Sequence, residues 1–108
     1  MALKPAPEVI HLKTRWTDEP ARLVWGSYSN GRPALEFVTM SGEPMARATV
    51  NLEEVMLPPG CTFVKSYSEN EGMAEALEQA GIVEVLTKFQ YSRVYIHLCR
   101  WTVVVPIG

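Results

Sequence analysis

The chain of 108 residues has two cysteines, almost no net charge and no long apolar run. Cys61 and Cys99 belong to no Cys-x-x-Cys pair and to no regular disulfide framework, so reduced thiols are expected. No stretch approaches the ~18 consecutive apolar residues that cross a bilayer, and MALKPAPEVIHLKTRW at the N-terminus lacks the apolar segment of a signal peptide. The expectation is a cytoplasmic protein with no membrane partner. Ten Lys and Arg against twelve Asp and Glu leave a formal charge of −2. That is too little basic surplus for a typical DNA binder and too little acidic surplus for a mimic of DNA. No G-x-G-x-x-G, P-loop, H-E-x-x-H or G-x-S-x-G string occurs, so no catalytic residue, metal or cofactor is expected and the chain does not read as an enzyme.

What is present is a globular balance, 47% hydrophobic and 20% charged, at the size of one domain spanning 1–108. Two prolines in residues 1–7 mark an extended arm, after which Val9, His11 and Lys13 alternate with Ile10 and Leu12 as a short strand. Thr17 to Pro20 reads as a break. The β-prone run 22–28 leads into Ser29-Asn30-Gly31-Arg32, and Asn-Gly suits the two left-handed positions of a type I′ turn, so 22–28 should pair antiparallel with 34–40. Leu35 and Phe37 then share a buried face. After Ser41-Gly42-Glu43-Pro44, residues 45–52 complete a three-stranded meander, and Pro58-Pro59-Gly60 stops the chain again.

Thr62 to Tyr67 forms a further strand. Ser68 and Glu71 have the spacing of a capping box, and Met73, Ala76, Leu77 and Ala80 recur at helical spacing up to Gly81, which predicts one helix over 69–80. Residues 82–89 and 93–105 form a C-terminal hairpin, and both faces of its last strand are apolar, which places that strand centrally in its sheet. The fold class expected is α+β, mainly antiparallel, with one main helix.

Few residues suggest chemistry. His97 and Cys99 share a strand face, but a zinc site would need His11 and Cys61 as well, and buried thiol with satisfied histidine is the simpler reading. Glu71, Glu75 and Glu78 gather on a helix face opposite Met73 and Leu77. That face reads either as solvated surface or as a docking surface for a basic partner. Trp16, Tyr28, Tyr91 or Trp101 with Arg32, Arg93 or Arg100 is the alternative, a stacking surface for single-stranded nucleic acid.

The strings YSNGRPAL (28–35), ATVNL (48–52) and VKSYSENEGMAEALEQAGIV (64–83) resemble a family of small bacterial proteins of unknown function carried on plasmids, phages and other mobile elements. The resemblance implies no activity. It marks Asn30, Gly31, Ser68, Glu69, Asn70, Glu71 and Gly72 as motif positions, of which helix capping leaves Glu69 and Asn70 unexplained.

The leading expectation is therefore a non-enzymatic accessory that binds a host protein or nucleoprotein complex, such as a mobile-element inhibitor of a CRISPR effector, through Glu69, Asn70, Glu71, Glu75, Glu78 and Arg32. Direct nucleic-acid binding through the basic C-terminal strands and exposed aromatics ranks second, and an unrecognised enzyme or thiol-dependent protein using Cys61, Cys99, His11 or His97 third. An exposed edge of the 22–52 meander offers a route to a homodimer.

Overall fold

The computed structural model describes residues 3–106. The strands run β1 (Lys4–Pro5), β2 (Val9–Lys13), β3 (Asp18–Ser27), β4 (Pro33–Val38), β5 (Pro44–Arg47) and β6 (Cys61–Lys65). A 3₁₀ turn (Ser68–Asn70) and helix α1 (Met73–Gln79) follow, then β7 (Val83–Tyr91), β8 (Val94–Trp101) and β9 (Val103–Val104). The architecture is α+β and mainly antiparallel, as the sequence patterning implies.

One sheet has the order β2-β3-β4-β5 and the other β6-β8-β7, every pairing in both being antiparallel. Residues 48–50 join them. Ala48 N donates to Leu35 O at 2.9 Å, while Lys65 N donates to Ala48 O at 2.9 Å and Val50 N to Phe63 O at 3.0 Å. The expected third strand over 45–52 is thus a strand that pairs with β4 and then crosses to β6. The N-terminal arm is tied down where it is described, because β1 lies parallel to β9.

Leu12, Leu23, Leu35, Phe37, Val64, Met73, Leu77, Cys99 and Trp101 form the main core between the sheets and α1. Trp25 and Trp101 meet edge to face there, with ring centres 5.2 Å apart. Each such side chain, fully buried, contributes on the order of 1.5–3 kcal/mol. The other face of β6-β8-β7 carries a smaller cluster, Leu52, Phe63 and Ile96, covered by the loop after residue 50. The centre strand β8 therefore has an apolar residue set on each face, as its sequence requires.

Four local expectations are corrected. The helix spans Met73–Gln79, not 69–80, and there is no capping box: Ser68 has φ of 56°, and Gly72, at φ 92°, precedes the helix without a side-chain cap. The N–H of Ala74 is satisfied instead by Ser66 Oγ at 3.0 Å. The Asn30-Gly31 turn is not type I′, since only Gly31 has positive φ. Tyr28 N donates to Arg32 O and Gly31 N to Tyr28 O, giving a three-residue loop that ends on a left-handed glycine. The loop from Thr39 to Glu43 repeats that pattern around Gly42. The break falls at 14–17, ahead of β3, and Asp18 to Pro20 belong to that strand. The meander is accordingly four-stranded, with β2 at its outer edge.

Candidate functional site

The short connection from β2 to β3 is bound to the segment that leads into α1. Arg15 N donates to Glu71 O at 2.9 Å, and Arg15 Nη1 donates to Glu71 Oε2 at 2.8 Å. Trp16 Nε1 donates to Ser68 O at 3.2 Å, and the Arg15 guanidinium lies 4.9 Å from the Trp16 ring centre. Gly72 shapes the turn beside this contact through its backbone. Its φ of 92° disfavours any other residue, although a Cβ there would only touch the backbone of Thr14 and Arg15 at ordinary contact distance.

Trp16 is nonetheless 64% exposed. An indole held by a hydrogen bond and a stacked cation, yet left in water, is a preorganised contact, because little side-chain freedom remains to be lost on binding. The sequence offered Trp16 only as one of several aromatics. What it could not offer was Glu71 as the partner of Arg15, since that pair is separated by 56 positions.

Most of the other residues singled out from sequence have intramolecular partners. Asn70 is 1% exposed and donates to Arg47 O at 2.7 Å and Lys65 O at 3.2 Å, so its amide ties β5 to β6. Arg32 donates to Leu52 O at 2.8 Å and Val55 O at 2.9 Å, clamping the loop over the smaller cluster. Glu69 pairs with Lys65, whose hydrogen bond holds the Glu69 carboxyl below its usual range. Glu78 Oε2 accepts Val85 N at 2.9 Å. Glu71 precedes α1 rather than lying on it, which corrects the expected three-glutamate helix face: only Glu75 and Glu78 are on the helix. Glu75 is exposed and has no ion pair among the described residues.

The cysteines and histidines do not assemble. Cys61 pairs across the sheet with Arg100 and Thr62 with Cys99, so the two thiols point to opposite faces. Burial raises the pKa of both and pushes Cys99 up to about 12, the reverse of what an attacking thiolate needs. His11 is bonded to Asp18 on the first sheet, whereas His97 lies on the second, its Nδ1 buried without a hydrogen-bond partner among the described residues. No group of three or more His, Cys, Asp or Glu among the described residues is arranged to hold a metal ion. No helix among the described residues is long and apolar enough to cross a membrane.

On the basic C-terminal strands, Arg100 is paired with Glu84. Lys88 Nζ sits 5.2 Å from the ring centre of Tyr95, which is 52% exposed.

No family model matches the chain, and no curated protein or solved structure shows significant similarity to it.

Proposed function

We propose that this protein is a non-enzymatic binding accessory that acts by covering a surface of a larger protein or nucleoprotein complex. The observation that carries the reading is Trp16, exposed yet held by Ser68, with Arg15 stacked on it and Glu71 holding Arg15. Tryptophan and arginine are the residues most enriched among those that dominate protein interfaces. Glu69, Glu71 and Glu75 lie close in sequence to this corner and extend it as a polar rim. The finer reading, inhibition of a host defence nuclease, rests on the resemblance of the 28–35, 48–52 and 64–83 segments to mobile-element proteins.

The test is capture from nuclease-treated bacterial lysate with tagged wild type and Trp16→Ala. Trp16→Ala is preferable to reversing Glu71, Glu75 and Glu78, because Glu71 and Glu78 also hold the fold together. A protein captured in stoichiometric amount by wild type, with affinity lowered at least about tenfold in the variant, is the expected result. Equal capture by both removes Trp16 from the interface.

A second reading is favoured by Lys88 over the exposed Tyr95, a cation-and-ring pair suited to a single-stranded nucleic acid. It requires binding that weakens steeply with salt, and a flat response with labelled single strands removes it.

A further inference from the structure

The first sheet ends at β2, and the hydrogen-bond alternation shows which backbone groups of that strand face outward. Leu23 N donates to Glu8 O and Thr14 N to Thr17 O, so the even-numbered residues from Glu8 to Thr14 bond towards β3. Val9, His11, Lys13 and Arg15 therefore direct their N–H and C=O groups away from the sheet. Arg15 N is taken by Glu71 O. No hydrogen bond among the described residues reaches the outward groups of Val9, His11 and Lys13. Beside them runs a groove lined by Ile10, His11 and Lys13 on the strand side and by Ala76 and Gln79 of α1 with its C-cap residue Ala80 on the other. The two alanines stand one helical turn apart and leave that wall low.

We propose that this edge is a strand-addition site for an extended, acidic segment of the partner protein. The inference rests on the reading in which Trp16 anchors a protein partner, for Trp16 follows directly from the end of the same edge. Backbone pairing to an open edge supplies affinity without regard to sequence, and alternate side chains supply the selectivity. Here His11 and Lys13 share the solvent face of β2 and Arg15 follows its end; His11 is bonded to Asp18 and Arg15 to Glu71, so the basic stripe along the free edge is centred on Lys13. Acidic residues at alternate positions of an added strand lie directly across from that stripe. Lys13 has no ion pair among the described residues and is the cation most available to them. The helix wall offers Ala76, Gln79 and Ala80, which carry no charge, so the intervening residues of the segment are small or apolar. Glu71 O on Arg15 N shows the chain itself already occupying the last position of this edge.

The experiment uses ¹⁵N-labelled full-length protein and a synthetic peptide of alternating Glu and Val, with its Lys-Val counterpart as control. Amide exchange at Val9, His11 and Lys13 is expected to slow at least about tenfold with the Glu-Val peptide and not with the control. N-methylation of the peptide residues that face the edge should weaken binding about tenfold, and methylation of the intervening residues should not. Absence of Glu-Val binding, or binding that leaves those three amides unprotected, overturns the proposal. In lysate capture, His11→Pro removes the outward N–H together with the imidazole, whereas His11→Thr removes the imidazole and keeps the N–H. Loss of the partner with His11→Pro but not His11→Thr supports strand addition. Capture lost in Trp16→Ala and kept in His11→Pro overturns strand addition and leaves the anchor standing. Capture kept in both variants overturns both.

Discussion

Two of the outer strands, β2 and β7, have opposite edges. In β7 the outward N–H of Val85 is occupied by Glu78 Oε2, and the register shifts immediately afterwards, between Val85 and Thr87, pushing Leu86 out to solvent. A bulge and a side-chain acceptor together interrupt the row of backbone groups that another chain would need. In β2 the row is continuous from Val9 to Lys13. The same helix takes part in both results: α1 sends Glu78 to β7, and the groove beside β2 is walled by Ala76, Gln79 and the C-cap residue Ala80. One edge is closed with a charged side chain, and the other is left open beside small ones. If open edges were simply a hazard this fold had not dealt with, β7 would be open as well.

The largest expected effect tests whether β2 is a structural strand despite its open edge. Leu12 is buried in the main core, so Leu12→Ala should destabilise by about 2–5 kcal/mol in urea unfolding. His11→Thr, one residue away on the solvent face, should stay within about 0.5 kcal/mol of wild type. Similar losses at both positions would mean that β2 is not divided into a buried and a free side.

The next effect concerns a second device that protects β7. The loop after residue 50 covers the face of the β7–β8 hairpin that carries Phe89 and Tyr91, and it is latched by Arg32 on two carbonyls and by Glu54 on the Tyr91 hydroxyl. Arg32→Ala removes bonds from a charged donor, with an expected cost of about 1.5–3 kcal/mol. Amide exchange should rise in β7 while β2 is unchanged. A uniform rise across both sheets would show that the loop supports the whole fold rather than this face.

Smaller still is Glu78→Ala, which frees Val85 N. About 1 kcal/mol is expected, with faster exchange at Val85, and Glu78→Gln should restore much of it because an acceptor oxygen remains. No change at Val85 would remove the contrast between the two edges.

How much of this was readable beforehand differs by element. The apolar residues on both faces of 94–105 gave β8 its central place, since only a strand covered on both sides needs them. Asn30-Gly31 and Ser41-Gly42 marked the hairpins, but not that each holds one left-handed residue rather than two. The capping box failed because Gly72 turns the chain against Thr14 and Arg15, a contact between distant segments that ends the 3₁₀ turn before the helix starts. Pro20 misled as a breaker. By the alternation in β3 its nitrogen points to the β4 side, two residues before Arg22, where the pairing with β4 begins, so no ladder bond is lost. The basic stripe was present as alternation in His11, Lys13 and Arg15, yet its meaning depends on which side of β2 is unpaired. The sequence alone did not show the pairing of β2 with β3.

The smallest effect lies on the solvent face of β2 itself. His11 Nε2 meets Asp18 Oδ1 across the β2–β3 pair, and this hydrogen bond, aided by the nearby Lys13 charge, holds the Asp18 carboxyl below its usual value of 3.8. A carboxyl with a lowered folded-state pKa contributes stability that is fully present above the ordinary value and lost as the pH falls through the folded one. The stability difference between wild type and Asp18→Asn should therefore be visible at about pH 5 and be lost as the pH falls below 3.8 through the lowered folded-state value. The group is exposed, so the difference should be small and should shrink with added salt. Because Asp18 also neutralises part of the basic stripe, the same variant should bind an acidic strand more tightly at neutral pH. Weaker binding would mean that Asp18, by orienting His11, helps to present the edge rather than competing for it.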